Sequence, residues 1–168
     1  LYLVGISMGG HGSYRLAFRY PDLFAASAPV AGWTDYREFY PHWYEQAYQP
    51  KLPAYVDPTR LPLLLTASSL YQAENSRYVS LRIAYGLYDT VNPPVNAQRV
   101  IEALKSFGYS NYIEAAVPGG HGAGYDVEAI YSFFDGKSRV RNPREAVYVT
   151  NRLRYGGAYW LRAVSYTH

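Results

Sequence analysis

The chain contains no cysteine. Disulfides, thiolate metal sites and a cysteine nucleophile are therefore excluded. No apolar run approaches the ~20 residues that a membrane-crossing helix needs. No leader peptide is readable, and the first residue is Leu1 rather than a methionine, so the front end leaves the compartment open. No cluster of His, Asp and Glu has the spacing of a metal site, and neither a metal nor a cofactor is expected. Charge is also sparse. Sixteen basic residues against 13 acidic ones leave a net +3. The arginines are scattered (Arg15, Arg37, Arg60, Arg82, Arg99), with a local excess only from Arg139 to Arg154. A nucleic-acid binder more often carries one basic stripe with interleaved aromatics, so no nucleic-acid partner is expected. Nothing in the sequence speaks to oligomeric state.

What is present suits one domain: 168 residues, 49% of them apolar, enough to bury a core. The most informative stretch is the first, LYLVGISMGGHG. Leu1 to Val4 is too short for a helix and right for a buried strand. A segment from about Gly10 to Tyr20 reads as a helix, stopped by Pro21. Between them lies Gly5-Ile6-Ser7-Met8-Gly9. Strand, then G-x-S-x-G, then helix is the context of a nucleophile elbow, in which a serine sits on a strained turn above the sheet. Gly5 and Gly9 are expected to leave room where a Cβ would clash. The helix N-terminus points N–H groups at the site of developing negative charge, and Met8 should give one of those donors.

Further along, Phe24 to Val30 reads as a second short buried strand. Residues 33–60 have a different texture, with four prolines and crowded aromatics. Tyr36, Tyr40, Tyr44 and Tyr48 fall four apart, on one face of any helix there. This looks like a cap inserted over a sheet edge. Tyr40 and Tyr44 serve either as the aromatic wall of a substrate cleft or as packing within the cap. Leu61 to Arg77 is ambiguous between a short strand and one to two helical turns. Val79 to Ala84 is a strand ended by Gly86. Pro93-Pro94 opens a helix with Ala97, Val100, Ile101, Leu104 and Phe107 on one face, capped by Gly108. Tyr112 to Val117 is the next strand, followed by PGGHGAG. Asp126 precedes a last helix with Val127, Ile130, Tyr131 and Phe134 facing inward. Strands alternating with helices imply a mostly parallel sheet covered on both faces.

In such sheets, sites lie at the carboxyl ends of the strands. Ser7, Asp89 and His121 each follow the carboxyl end of a predicted strand. A serine hydroxyl needs a base in reach and a third group to orient that base. His121, flanked by glycines that let its loop approach, is the best of four histidines. Asp89 would orient it, or would form an Asx-turn or cap at the Pro93 helix. Asp126 is the rival acid, with a competing role as a helix N-cap.

GISMGGHGSYRLAFRYPDLFAASAPVAGW, IAYGLYDTVNPPVNAQRVIEALKSFGY and VPGGHG together resemble the catalytic α/β-hydrolase domain. Within it, the prolyl-oligopeptidase-like and related esterase branch is most similar. The resemblance covers about residues 1–134. It implies the C-terminal half of that domain and an acyl-enzyme mechanism. Ser7 attacks an ester or peptide carbonyl, His121 shuttles the proton, Asp89 holds His121, and the Met8 N–H supplies half the oxyanion hole. The implied function is a serine hydrolase acting on a small ester, with peptides a close second. The family carries strands before the elbow, and one early loop holds the second oxyanion donor. Their absence here leads us to expect an N-terminally truncated domain over 1–136, poorly folded and nearly inactive alone, since one such donor is worth ~10²–10³ in turnover.

Beyond it, 137–163 reads as a linker and the start of a β-rich extension. Strands are expected at Ala146 to Thr150 and at Ala158 to Arg162. Val164 to His168 reads as a cloning or assembly scar. The competing function is a non-catalytic hydrolase-fold binding module that kept the elbow for its shape.

Overall fold

The computed structural model of the chain describes residues 1–39, 61–122 and 125–165. Four strands form one sheet in the order β1 (Tyr2–Ile6), β2 (Ala26–Val30), β3 (Ser80–Gly86), β4 (Tyr112–Val117). Every neighbouring pair is parallel, with Val4 opposite Ala28, Val30 opposite Ala84, and Ile83 opposite Glu114. Parallel neighbours need crossovers, and helices supply them. α1 (Met8–Arg19) joins β1 to β2, and α3 (Val95–Ser106) joins β3 to β4. α2 (Leu61–Ala67) and a 3-10 segment (Ser69–Tyr78) precede β3, and α4 (Val127–Phe134) follows β4.

The two faces of the sheet are covered by different helices. On one, Tyr14, Ala17 and Phe18 of α1 and Val100, Ile101 and Leu104 of α3 pack on Leu81, Ile83 and Tyr85. Phe18, Leu81, Ile83 and Leu104 are fully buried there, worth roughly 1.5–3 kcal/mol each. On the other, Ile130, Phe133 and Phe134 of α4 pack on Ala26, Ala28, Val30 and Ala84. β2 is built of small residues and is buried along its whole length, which lets helices close in on both sides. This is the α/β architecture expected of the sequence, with α1 starting two residues earlier than its pattern suggests.

Several expectations are settled or changed. Residues 61–78, left open between a strand and helical turns, are helical apart from a break at Ser68, and Asn75 ties this stretch to distant partners. It is buried, donates to the carbonyls of Phe18 and Val149, and accepts from the Val149 N–H. On α4 the inward stripe is Ile130, Phe133 and Phe134, while Val127 and Tyr131 are exposed. Phe107 lies past the end of α3, partly exposed against Tyr109. Finally, 146–150 forms no strand. The antiparallel pair is Gly157–Ala158 with Leu161–Arg162, inside one expected strand and the turn before it.

Residues 139–160 instead follow the domain surface, held by side chains. Tyr148 donates to the carbonyls of Arg19 and Tyr155, Tyr78 to that of Glu145, and Tyr159 to that of Pro21. Of the expected cap, residues 33–39 are described, with 36–39 helical. Tyr40, Tyr44 and Tyr48 lie outside the described residues. Among the described residues no helix is long and apolar enough to cross a membrane.

Candidate active site

Ser7 stands between β1 and α1 with φ +57° and ψ −115°, a left-handed backbone that residues with a side chain adopt at a cost of roughly 1–3 kcal/mol. The turn is held at both ends. The Ser7 N–H donates to Val30 O at 2.9 Å, and its carbonyl accepts the His11 N–H at 3.0 Å. A Cβ on Gly5 would fall 2.3 Å from Gly9 O, so only glycine lets the chain fold back there. The matching expectation for Gly9 does not hold, because a Cβ there meets nothing within 4 Å. Gly10 is the second tight position, pressed against Val30 O and the backbone of Gly32. The sequence pattern gave no sign of this contact, since its partner lies 22 residues away.

A serine before a helix ordinarily turns its hydroxyl onto the helix's own N–H groups. Ser7 makes no such bond. Its Oγ lies 2.8 Å from His121 Nε2 instead. His121 Nδ1 lies 2.8 Å from Asp89 Oδ2. The Asp89 carboxylate can only accept, so Nδ1 carries the hydrogen of the neutral ring and Nε2 offers a lone pair to the serine hydroxyl. The Asp89 side chain is fully buried, and that of His121 keeps 24% of its exposure.

The loops after β3 and β4 bring these groups together. Tyr88 N–H donates to Gly119 O, and Leu87 N–H to Val117 O. A Cβ on Gly86 would fall 2.4 Å from Gly119 O, so the His121 loop lies directly on the end of β3. Asp89 divides its work between two oxygens. Oδ2 faces His121, while Oδ1 accepts from the N–H groups of Val91 and Asn92. The orienting role and the Asx-turn or cap were alternatives in the sequence, and Asp89 makes contacts that suit either. Asp126 has a different job: its Oδ1 accepts from the Ala129 N–H and caps α4. Met8 is exposed as the first residue of α1, where N–H groups have no partner within the helix.

Chemically, this is a hydroxyl aligned on a base that a buried carboxylate orients. Among the described residues no group of His, Asp and Glu could hold a metal ion.

Sequence reasoning missed the surroundings. Asp35 is fully buried and paired with Arg37 at 2.7 Å and Arg99 at 3.4 Å. Burial alone would raise its pKa, but hydrogen bonds and charge from Arg37, with a hydrogen bond from Ser68, hold it below the usual carboxylate range. His11, Trp33, Tyr36 and Phe39 form an aromatic cluster beside the turn. The sequence marked the crowded aromatics after residue 33, Tyr36 among them, but gave no sign that His11 joins them.

A family model described as the prolyl oligopeptidase family matches residues 1–139. No curated protein matches the chain. Among solved structures, an acylaminoacyl peptidase in complex with Z-Gly-Gly-Phe-chloromethyl ketone superposes with a TM-score of 0.66 at 22% identity, over 82% of this chain and 24% of that one. The uncomplexed acylaminoacyl peptidase of Pyrococcus horikoshii gives 0.65 at 22% identity over the same shares. A puromycin-hydrolyzing peptidase of Mycobacterium tuberculosis gives 0.59 at 25% identity, over 73% of this chain and 18% of that one. The chain thus spans about a quarter or less of the length of these structures.

Proposed function

The chain belongs to the prolyl oligopeptidase family, and from that premise we propose that it carries the nucleophile elbow and catalytic triad of a serine hydrolase, with Ser7 as nucleophile. The observation that carries this reading is the Ser7–His121–Asp89 chain, with 2.8 Å at each link and the serine hydroxyl diverted from its usual capping role.

In the proposed reaction, Ser7 Oγ attacks the carbonyl carbon as its proton passes to His121 Nε2. Asp89 stabilises the imidazolium that forms. The Met8 N–H, at the positive end of α1, faces the developing oxyanion. Collapse of the tetrahedral intermediate expels the amine or alcohol, which takes the proton from His121. An acyl-Ser7 ester remains. Water, deprotonated by His121, then releases the acid and restores the serine.

The family and the names of the similar peptidases support a peptide or amide bond ahead of the ester that the sequence alone favoured. Tyr40 and Tyr44 are proposed as an aromatic wall of the substrate cleft. Unchanged preference for aromatic acyl groups after Tyr40→Ala and Tyr44→Ala would remove that part.

The deciding experiment is a fluorophosphonate probe, which esterifies only an activated serine. Labelling of the protein that disappears in Ser7→Ala supports the reading. Absence of labelling in well-folded protein would leave the binding module in its place.

A further inference from the structure

His11 lies one turn along α1 from Ser7, is buried, and takes no part in the reaction above. Its ring lies flat on Trp33, centroids 4.5 Å apart and planes 5° from parallel. Trp33 is stacked on Phe39 at 4.0 Å and 7°. Tyr36 stands edge-on to all three rings. His11 Nδ1 lies 2.9 Å from the Trp33 carbonyl, which can only accept, so Nδ1 carries the hydrogen. In the neutral ring Nε2 is then an acceptor, and the Tyr36 hydroxyl donates to it at 3.3 Å.

The segment held in this way adjoins Ser7. It leaves β2 just after Val30, whose carbonyl takes the Ser7 N–H, and Gly32 lies against Gly10. Its other attachments run elsewhere. Thr34 is bonded to Asn96 of α3, and Asp35 to Arg37, Arg99, Ser68 and Tyr71. His11 is the side-chain tie between this segment and the helix that begins at the nucleophile. We infer that His11 is a positioning residue that, as an uncharged imidazole, fixes the aromatic segment 33–39 beside Ser7 and so sets substrate binding rather than bond cleavage. This rests on the reading of Ser7 as nucleophile.

Protonation would oppose the arrangement. It would turn the bond round, so that Tyr36 must accept where it donated, and it would bury a cation. Burial holds the His11 pKa below the usual imidazole range. The hydrogen bond to Trp33 works against that, and Arg15 on the same helix works with it. On the facing segment, Asp35 is occupied by its arginines. The contact should be intact above about pH 6.5 and weaken as the pH falls below it.

Two variants separate the functions of the ring. His11→Phe keeps an aromatic face and loses both hydrogen bonds. His11→Gln keeps an acceptor for Tyr36 and cannot titrate. For a neutral aromatic substrate, KM of the native protein should rise about five-fold as the pH falls from neutrality through the lowered titration of His11, the loss of one hydrogen bond. KM should be raised at every pH in His11→Phe and independent of pH in His11→Gln, while kcat keeps one profile in all three. Tryptophan emission gives an arm that needs no turnover, because an imidazolium against Trp33 quenches it. An acid quenching step in Ser7→Ala that is lost on adding His11→Phe is the expected result. An unchanged step, or one KM profile shared by all three proteins, overturns the role of His11 while leaving Ser7 labelling intact. Failure of labelling would instead strike the hydrolase reading on which this one rests.

Discussion

Asp89 shows how much one carboxylate does at this site. One oxygen fixes the tautomer of His121, and the other gathers two backbone N–H groups of its own loop. Asp89→Asn separates these functions. The asparagine oxygen can still accept from Val91 and Asn92, so the loop should persist and Tm should change little. The amide NH2 then faces His121 Nδ1, drives the ring hydrogen to Nε2, and removes the lone pair offered to the Ser7 hydroxyl. We expect kcat to fall by roughly 10⁴, with fluorophosphonate labelling slowed in parallel and KM largely preserved. A large loss of Tm would place the main role of Asp89 in the fold instead. Ser7 carries the complementary cost, a positive φ that the β1–α1 turn imposes and that its bonds to Val30 and His11 maintain.

At the scale of elements, the question is which acid belongs to which. Asp126 follows His121 in the chain, yet its carboxylate is occupied at the first turn of α4. Asp126→Ala should cost about 1 kcal/mol of stability, the usual worth of an N-cap, and leave probe labelling at the native rate. Gly86→Ala should do the reverse of sparing the site. Its Cβ would meet the carbonyls of Gly119 and Gly120, push the His121 loop off β3, and slow labelling sharply.

The same scale shows what the sequence could and could not convey. Local patterns were enough for β1, β2, β3 and β4, and for the buried stripe of α3 from Ala97 to Leu104, because an apolar run or a helical repeat is a property of neighbours in the chain. That Ser7, Asp89 and His121 would lie together was legible for a related reason: parallel strands put their carboxyl ends on one edge. Most of what the sequence left open or missed involves distant partners. Residues 61–78 take their form from Asn75 reaching Phe18 and Val149, and 146–150 from side chains of Asn75 and Tyr148. The inward face of α4 depends on where β2 lies. The Gly10–Gly32 contact and the His11 cluster likewise join residues about 20 apart, which no single repeat encodes.

At the scale of the whole molecule, the 20 tyrosines acquire a physical role. Several use their rings as filler and their hydroxyls as ties to carbonyls of irregular segments. Tyr78, Tyr148 and Tyr159 hold the segment after α4, and Tyr109 bonds to Glu74 O. This architecture predicts a weakness in alkali. Burial raises the pKa of Tyr14, Tyr109, Tyr148 and Tyr159, and that of Tyr85 is pushed up to about 12 by burial together with its hydrogen bond to Glu114. An unfolded tyrosine ionises near pH 10. A group whose folded pKa lies above its unfolded one contributes stability that is fully present below the unfolded value and is lost as pH rises through the folded one. Urea midpoints should therefore be level from about pH 7.5 to about pH 9.5 and fall progressively above about pH 10. Tyr148→Phe removes the hydroxyl whose single hydrogen is shared between Arg19 O and Tyr155 O, and with it one titrating group. It should lower stability at neutral pH by about 1 kcal/mol and make the alkaline decline shallower. A decline as steep as the native one would mean that the ionising groups that matter lie elsewhere, in Tyr14 and Tyr85 of the core rather than along the segment after α4.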